Sequence, residues 1–486
     1  MRNSKLKRHR YNSIILLIAL FLWISVTDIS YGKNRLPNKF GGKNSMTTQA
    51  RDLVNLEDSL DFNFMTPPDT AKPHTWWHWM NGHISKEAIT KELEEMKHAG
   101  LGGFTLFNSN EGTPVEGPVE YMSEAWFEMI EHTMKEAHRL GLEMRIHNGA
   151  GWSSSGGPWV TPDQAMQELV WTETDVTGPG YFNKLIEIPK PALGIERDMQ
   201  KDPEVNKRYY VSREEVKGYY KDIAILAFPT LATNPDESPL RLVHWKSKTG
   251  FEKMKDLYRP NKNEISTSSC IETNQIKDLT SFLTKDGKLA WNIPPGKWTI
   301  LRVGYQPTGR QNHPAPKGGR GLEIDKLSSG AVDLFWQNSI DKIIQITKKT
   351  KTDALKGIVI DSYEVGHQNW NVSFENDFRN ICGYEITEYL PALTGRVVGN
   401  VDQTERFLWD FRKTLSDLII KNYYARFLEL CKQNGLTLSA EPYGNFGNTD
   451  DFSVSVIPDI PMAEWWTFRK NSDPISRTAK LASSAA

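Results

Sequence analysis

The segment Gly357-Ile358-Val359-Ile360-Asp361-Ser362-Tyr363-Glu364 is an apolar run that stops abruptly at two carboxylates. Apolar residues without polar alternation read as a strand buried on both faces, the pattern of a parallel sheet. The pattern recurs where Leu436 to Ala440 runs into Glu441, and where Ile460 to Ala463 runs into Glu464, Trp465 and Trp466. In a parallel barrel, acids at the C-terminal strand ends converge and typically do chemistry.

The remainder of the chain carries the same rhythm. Thr75 to Met80 reads as a strand, followed by a helix with Ser85 as N-cap, an Ile84 and Ile89 staple, a stripe of Ile89, Leu93 and Met96, and Gly100 past its end. Gly103 to Phe107 is the next strand. Ser123 then caps a helix with Phe127, Ile130, Met134 and Ala137 on one face, Gly141 ends it, and Leu142 to His147 forms a third strand. From about 170 to 328 the pattern changes to short alternating runs such as Lys288 to Asn292 and Trp298 to Val303, parted by Pro294-Pro295-Gly296. The rhythm then returns with a helix over 331–349, helices through 374–434, and the three acid-ended strands.

These signals predict an α/β fold: a (β/α)8 barrel of the TIM type, with about six βα units in this chain and an inserted β-sandwich-like domain. The expected organisation is a signal peptide over 1–32, a polar segment over 33–68, a first barrel part over 69–169, the insert over 170–328 and a second barrel part over 329–486. The leader expectation rests on Arg2, Lys5, Lys7, Arg8 and Arg10 ahead of an apolar stretch from Ile14 to Ile24, too short to span a bilayer. It implies a secreted or periplasmic protein with no stable membrane anchor. With only Cys270, Cys382 and Cys431, the fold must rest on its core rather than on disulfides.

Lys plus Arg (59) balances Asp plus Glu (60), so no nucleic-acid footprint is expected and a neutral partner suits the chain better. The 16 Trp, many beside Gly, Asn or His, offer flat rings suited to the apolar faces of sugars. The candidate polar groups all fall at strand ends: His78 and Asn81, Asn108, His147 and Asn148, Asp361 and Glu364, Glu441 and Glu464. Converging carboxylates with amides, imidazoles and indoles fit glycoside hydrolysis. The spacing of His74 and His78 does not make a zinc site, because on a strand they stand roughly 13 Å apart. Oxygen-rich strand ends could hold Ca²⁺. The loop Asn148 to Trp159 is Gly-rich but lacks the Lys of a phosphate cradle, and no Gly-x-Ser-x-Gly elbow is present.

Six ordered segments, Thr75 to Gly82, His147 to Trp159, Gly321 to Lys326, Asp361 to Gly366, Ala440 to Gly444 and Pro461 to Trp466, resemble glycoside hydrolase family 106, the α-L-rhamnosidases. The resemblance runs from about residue 65 to the end. It implies an inverting mechanism on a (β/α)8 barrel with β-sandwich additions, a calcium ion contacting the sugar, and rhamnose-containing polysaccharide or glycosides as substrate. Glu364 matches the family's general acid, and Glu464 matches an acidic position associated with calcium. His78, Trp79, Asn81, His147, Asn148, Trp152, Asp361, Glu441 and Trp465 are the expected sugar-contacting residues. The family's general base follows a Ser-Ala-Ala-His-like segment, so it is expected beyond Ser484-Ala485-Ala486. Two other readings stay open: a carbohydrate-binding barrel without catalysis, and a retaining exo-glycosidase for another sugar with Glu441 or Glu464 as nucleophile.

Overall fold

The computed structural model describes residues 62–153, 155–189, 210–211, 216, 218–231, 240–251, 269–444, 449–464 and 474–486. The chain divides into two compact units, Met1–Pro68 and Asp69–Ala486. The expected leader lies outside the described residues. Among those described, no helix is long and apolar enough to cross a membrane.

The second unit is a mixed α/β structure. It opens with β1 (His74–Met80), α1 (Lys86–His98), β2 (Gly103–Ser109), α2 (Glu124–Leu140) and β3 (Glu143–Ala150). The Ser85 side chain accepts from the Ala88 amide at 3.2 Å and Ser123 does the same for Trp126 at 3.2 Å, so both expected N-caps form. Such a cap contributes about 1 kcal/mol. Gly141 closes α2 in the left-handed conformation, φ 63°, where a Cβ would be strained. The buried stripe of α2 differs from expectation by one position. Trp126 enters the core and Phe127 is only half-buried, because the Trp126 ring packs edge-on to Trp79 and its Nε1 donates to Asn108 Oδ1 at 2.9 Å.

The chain continues with the long strands β4 (Gln167–Leu185), β5 (Lys221–Pro229) and β6 (Lys288–Pro307). It then runs through α3 (Ser329–Asn338), α4 (Ile340–Thr350), β7 (Leu355–Ile360), α5 (Phe374–Cys382), α6 (Val401–Ile419), α7 (Arg426–Gln433), β8 (Thr437–Ala440) and β9 (Ile460–Pro461). The single helix expected over 331–349 is thus two, broken at Ser339, whose hydroxyl donates to the Phe335 carbonyl. A β-strand at 460–464 was the expectation; only Ile460 and Pro461 pair.

Strands β1, β2, β3, β7, β8 and β9 form one sheet in that order, with every neighbouring pair parallel. The helices cover one face. Trp77, Trp79, Phe104, Leu106, Met144 and Ile146 meet Ile89, Leu93, Ile130 and Met134 there in a single core. Burying each such side chain stabilises the fold by roughly 1.5–3 kcal/mol. On the other face, Phe107 stacks against Trp76 at 4.6 Å, His78 at 5.2 Å and His147 at 4.8 Å. Deeper on that face Arg145 reaches across to Thr437 Oγ1 at 2.6 Å. Gly357 makes the crossing possible, since a Cβ there would lie 2.4 Å from the guanidinium.

The segment between β3 and β7 forms one antiparallel sheet ordered β4, β6, β5 and the short strand Lys277–Asp278. Cys270–Ile271 from the same segment pairs in parallel with Val397–Val398 as a separate two-stranded sheet. Alternation puts Leu226, Phe228, Leu301 and Val303 into the core of the parallel sheet, and Ile225, Ala227, Trp298 and Ile300 into a second cluster with Trp291 and Leu289. Pro294-Pro295-Gly296 does not turn the chain as expected, because β6 runs straight through it. The prolines lie in a register shift opposite Gly178 and Gly180, beyond the reach of β5, which pairs only as far as Trp298. There a missing N–H costs no ladder bond.

Candidate active site

Four carboxylates from three neighbouring strand ends act on one another: Asp361 and Glu364 after β7, Glu441 after β8, and Glu464 after β9. The parallel register sets this up, since Ile360 pairs with Ala440 and Ala440 with Pro461, so the chains leave the sheet at one level. Asp361 is 4% exposed and Glu441 1% exposed. Burial raises the Asp361 carboxyl to about 7, aided by the charges of Glu464 and Glu364. Burial, and then Asp361 itself, raise Glu441 further. Two buried carboxyls joined by a hydrogen bond cannot both ionise cheaply, so the pair holds a proton at neutral pH. Tyr443 steadies it, its hydroxyl donating to Glu441 Oε2 at 2.7 Å and accepting from the Glu464 amide at 3.0 Å.

Glu364 reaches out to the open side of this cluster. Its carboxyl is also raised, first by partial desolvation and then by the charge of Glu464, while hydrogen bonds from Ser362 and Trp152 pull the other way. Its backbone amide donates to the Ser153 carbonyl at 3.0 Å. The neighbouring loop is held close by Gly444, where a Cβ would sit 2.5 Å from the Tyr363 carbonyl oxygen, and by the Tyr363 amide, which donates to the Tyr443 carbonyl at 2.9 Å.

His147 is 2% exposed, and its Nδ1 lies 3.0 Å from the Gly149 carbonyl. The Gly149 amide also points at the same nitrogen, at 3.4 Å. Burial drops the imidazole to about 4, leaving it neutral, and its Nε2 is buried with no hydrogen-bond partner among the described residues. His78 stands beside it across Phe107, and Trp152 meets His78 edge-on at 6.3 Å. Asp361, Glu364, Glu441, Glu464, His78, His147 and Trp152 therefore share one end of the parallel sheet. Asn148 adjoins them but is 1% exposed and donates to Ser155 Oγ at 2.6 Å, which makes it an internal tie of its loop.

Two expected sugar contacts are corrected. Trp79 faces the helices, stacked edge-on between Trp77 and Trp126, because alternation along β1 sends Trp77 and Trp79 to the core and Trp76 and His78 to the other side. Asn81 takes a left-handed turn, φ 49°, and its amide donates to the carbonyls of Thr113 and Val115 at 2.9 and 3.0 Å, so it anchors a loop. Trp465 lies outside the described residues.

Tyr443, Glu323 and Lys326 lie in the family-like segments Ala440 to Gly444 and Gly321 to Lys326, but no role was expected of them. Tyr443 had one available signal, an aromatic hydroxyl two residues after a strand-end Glu. Glu323 and Lys326 are both 0% exposed and 2.8 Å apart. Glu323 accepts from Ser153 Oγ at 3.2 Å and the Ser155 amide at 3.0 Å.

Residues 65–486 match the profile of glycoside hydrolase family 106, described as alpha-L-rhamnosidase. The chain belongs to that family. It is 41% identical over 424 residues to a Formosa agariphila protein named "Putative beta-glucuronidase", covering 87% of this chain and 34% of the relative. Its structure is similar to that of a rhamnosidase from Novosphingobium sp. PP1Y, with a TM-score of 0.69 and 25% identity over 88% of this chain and 52% of the other. The chain thus spans about a third of the curated relative's length and about half of the solved rhamnosidase's.

The family resemblance also implies calcium, with Glu464 among its ligands. Among the described residues no three His, Cys, Asp or Glu side chains gather closely enough to hold a metal ion. No step below runs through calcium.

Proposed function

We propose that the whole protein is a secreted, inverting α-L-rhamnosidase acting on rhamnose-containing polysaccharide or glycosides, with the six parallel strands forming part of a (β/α)8 barrel. The observation that carries this reading is the carboxylate cluster at the parallel strand ends, with Glu364 biased toward its protonated form on the open side. Glu364 gives its proton to the glycosidic oxygen as the bond from that oxygen to the anomeric carbon breaks. Water adds to the anomeric carbon from the opposite face and loses its proton to a second carboxylate, which inverts the configuration. The Asp361 and Glu441 pair, already holding a proton, is a poor base and is suited instead to hydrogen-bonding sugar hydroxyls. None of the four clustered carboxylates is assigned here as that base. Secretion rests on the basic and apolar run at residues 2–24, and N-terminal sequencing of the native protein checks it.

The name of the Formosa relative raises a uronic acid as a competing substrate. The electrostatics favour a neutral sugar. The strongest charges acting on Asp361, Glu364 and Glu441 are one another and Glu464. A uronate would add a further negative charge, at roughly 1–4 kcal/mol for each close carboxylate. The full-length enzyme is therefore expected to cleave an aryl α-L-rhamnoside at least about 10²-fold faster, in kcat/KM, than the matching aryl β-D-glucuronide. Proton NMR of the first-formed sugar should show the inverted anomer. Preference for the glucuronide would overturn the substrate, and a retained anomer would overturn the mechanism.

A further inference from the structure

We propose that the buried Glu323 and Lys326 pair is a positioning device for Glu364, acting through Ser153; the proposal rests on the reading of Glu364 as general acid. A fully buried ion pair forfeits the hydration of two charges, and an apolar pair of similar shape would commonly be at least as stable. Its place in the molecule therefore points to what it holds. Glu323 Oε1 accepts from Ser153 Oγ at 3.2 Å and Oε2 from the Ser155 amide at 3.0 Å, while Lys326 Nζ neutralises Oε2 at 2.8 Å. Ser153 then faces Glu364 directly, because its carbonyl accepts the Glu364 amide at 3.0 Å. Its chain neighbour Trp152 hydrogen-bonds the Glu364 side chain.

The second arm runs through aromatic rings. The Lys326 ammonium lies 5.5 Å from the ring centre of Tyr363, the residue before Glu364, and 5.6 Å from that of Tyr423. Tyr423 belongs to a π-helical segment, Ile420–Ala425, and its hydroxyl shares a 2.5 Å hydrogen bond with Ser155 Oγ. One buried charge pair is thus tied to both loops that meet at Glu364, the Gly-rich loop after β3 and the loop after β7. Neither Glu323 nor Lys326 reaches the substrate side, so both act through Ser153 and Tyr363.

The experiment compares full-length Ser153→Ala and Glu364→Gln with the unaltered enzyme on two rhamnosides, one with an alkyl leaving group and one with a nitrophenyl leaving group. Positioning of a general acid predicts that Ser153→Ala lowers kcat on the alkyl glycoside by about tenfold or more, with KM little changed, and costs the nitrophenyl glycoside much less. Loosening Trp152 removes a bond that favours ionised Glu364, so the high-pH limb of kcat should also move to higher pH. The double variant Glu323→Gln with Lys326→Met, which removes both charges and keeps their bulk, should show the same leaving-group split. Equal losses on both substrates, or no loss with an unmoved pH limb, would overturn the proposal. If Ser153→Ala does not fold, the double variant decides alone. Should Glu364→Gln itself show no leaving-group dependence, it is the assignment of Glu364 as acid that fails.

Discussion

Glu364→Gln in the full-length protein is expected to lower turnover of unactivated rhamnosides by about 10² to 10⁴, the usual contribution of a general acid. The amide keeps the size of the side chain and the hydrogen bond to Trp152, but it has no proton to give the departing oxygen. Nitrophenyl rhamnosides need little protonation, so they should lose far less. The pH profile follows from the same assignment. Glu364 must be protonated to act, so activity falls as pH rises through its carboxyl, which desolvation and Glu464 hold above the ordinary glutamate range. In Glu364→Gln that high-pH limb should flatten. Equal losses on both substrate classes, with the limb intact, would place the acid elsewhere in the cluster.

The parts of this arrangement that were legible in the sequence are those set by local rules. An uninterrupted apolar run followed by acid marks the buried strand before Asp361 and its end, and the runs before Glu441 and Glu464 also join the parallel sheet, although Ile460 stays exposed. Ser85, Ser123 and Gly141 announced the first helices because caps depend on neighbours three or four residues away. The face taken by Trp79 was not legible, since Trp76, Trp77 and Trp79 are all aromatic and the period of two has no preferred phase among them. Packing of Trp126 from α2 chooses it. The anchoring contacts of Asn81 were not legible for a related reason: the two carbonyls that accept from its amide belong to a loop more than thirty residues away.

The carboxylates make a similar point about energetics. Each acid alone reads as an ordinary loop residue, and only the common level of the strand ends turns Asp361 and Glu441 into a proton-sharing pair. That pair destabilises the fold as pH rises. Its folded-state carboxyls bind protons more tightly than they would in the unfolded chain, so stability falls from the ordinary carboxylate range up through about 7 for Asp361. Removing one charge by Asp361→Asn should therefore relieve repulsion while disturbing the hydroxyl-binding site, the exchange of stability for function common at active sites.

Lys326→Met is the substitution expected to cost the most stability, about 3–5 kcal/mol. In the sequence, Glu323 and Lys326 have the spacing of a surface pair worth only a few tenths of a kcal/mol. The fold instead seals both, with Tyr363 and Tyr423 flanking the ammonium. Burial lowers the affinity of Lys326 for its proton, and the charges of Glu323 and Asp325 oppose that effect. Removing the cation leaves the Glu323 carboxylate in the interior with, among the described residues, Ser153 Oγ and the Ser155 amide to solvate it. Adding Glu323→Gln removes the stranded charge, so the double variant should recover most of the loss. Urea unfolding of the full-length protein measures both steps. A single variant within about 1 kcal/mol of the unaltered protein would mean that Lys326 is not a buried cation. A double variant no more stable than the single one would mean that shape, not charge, is what the site requires.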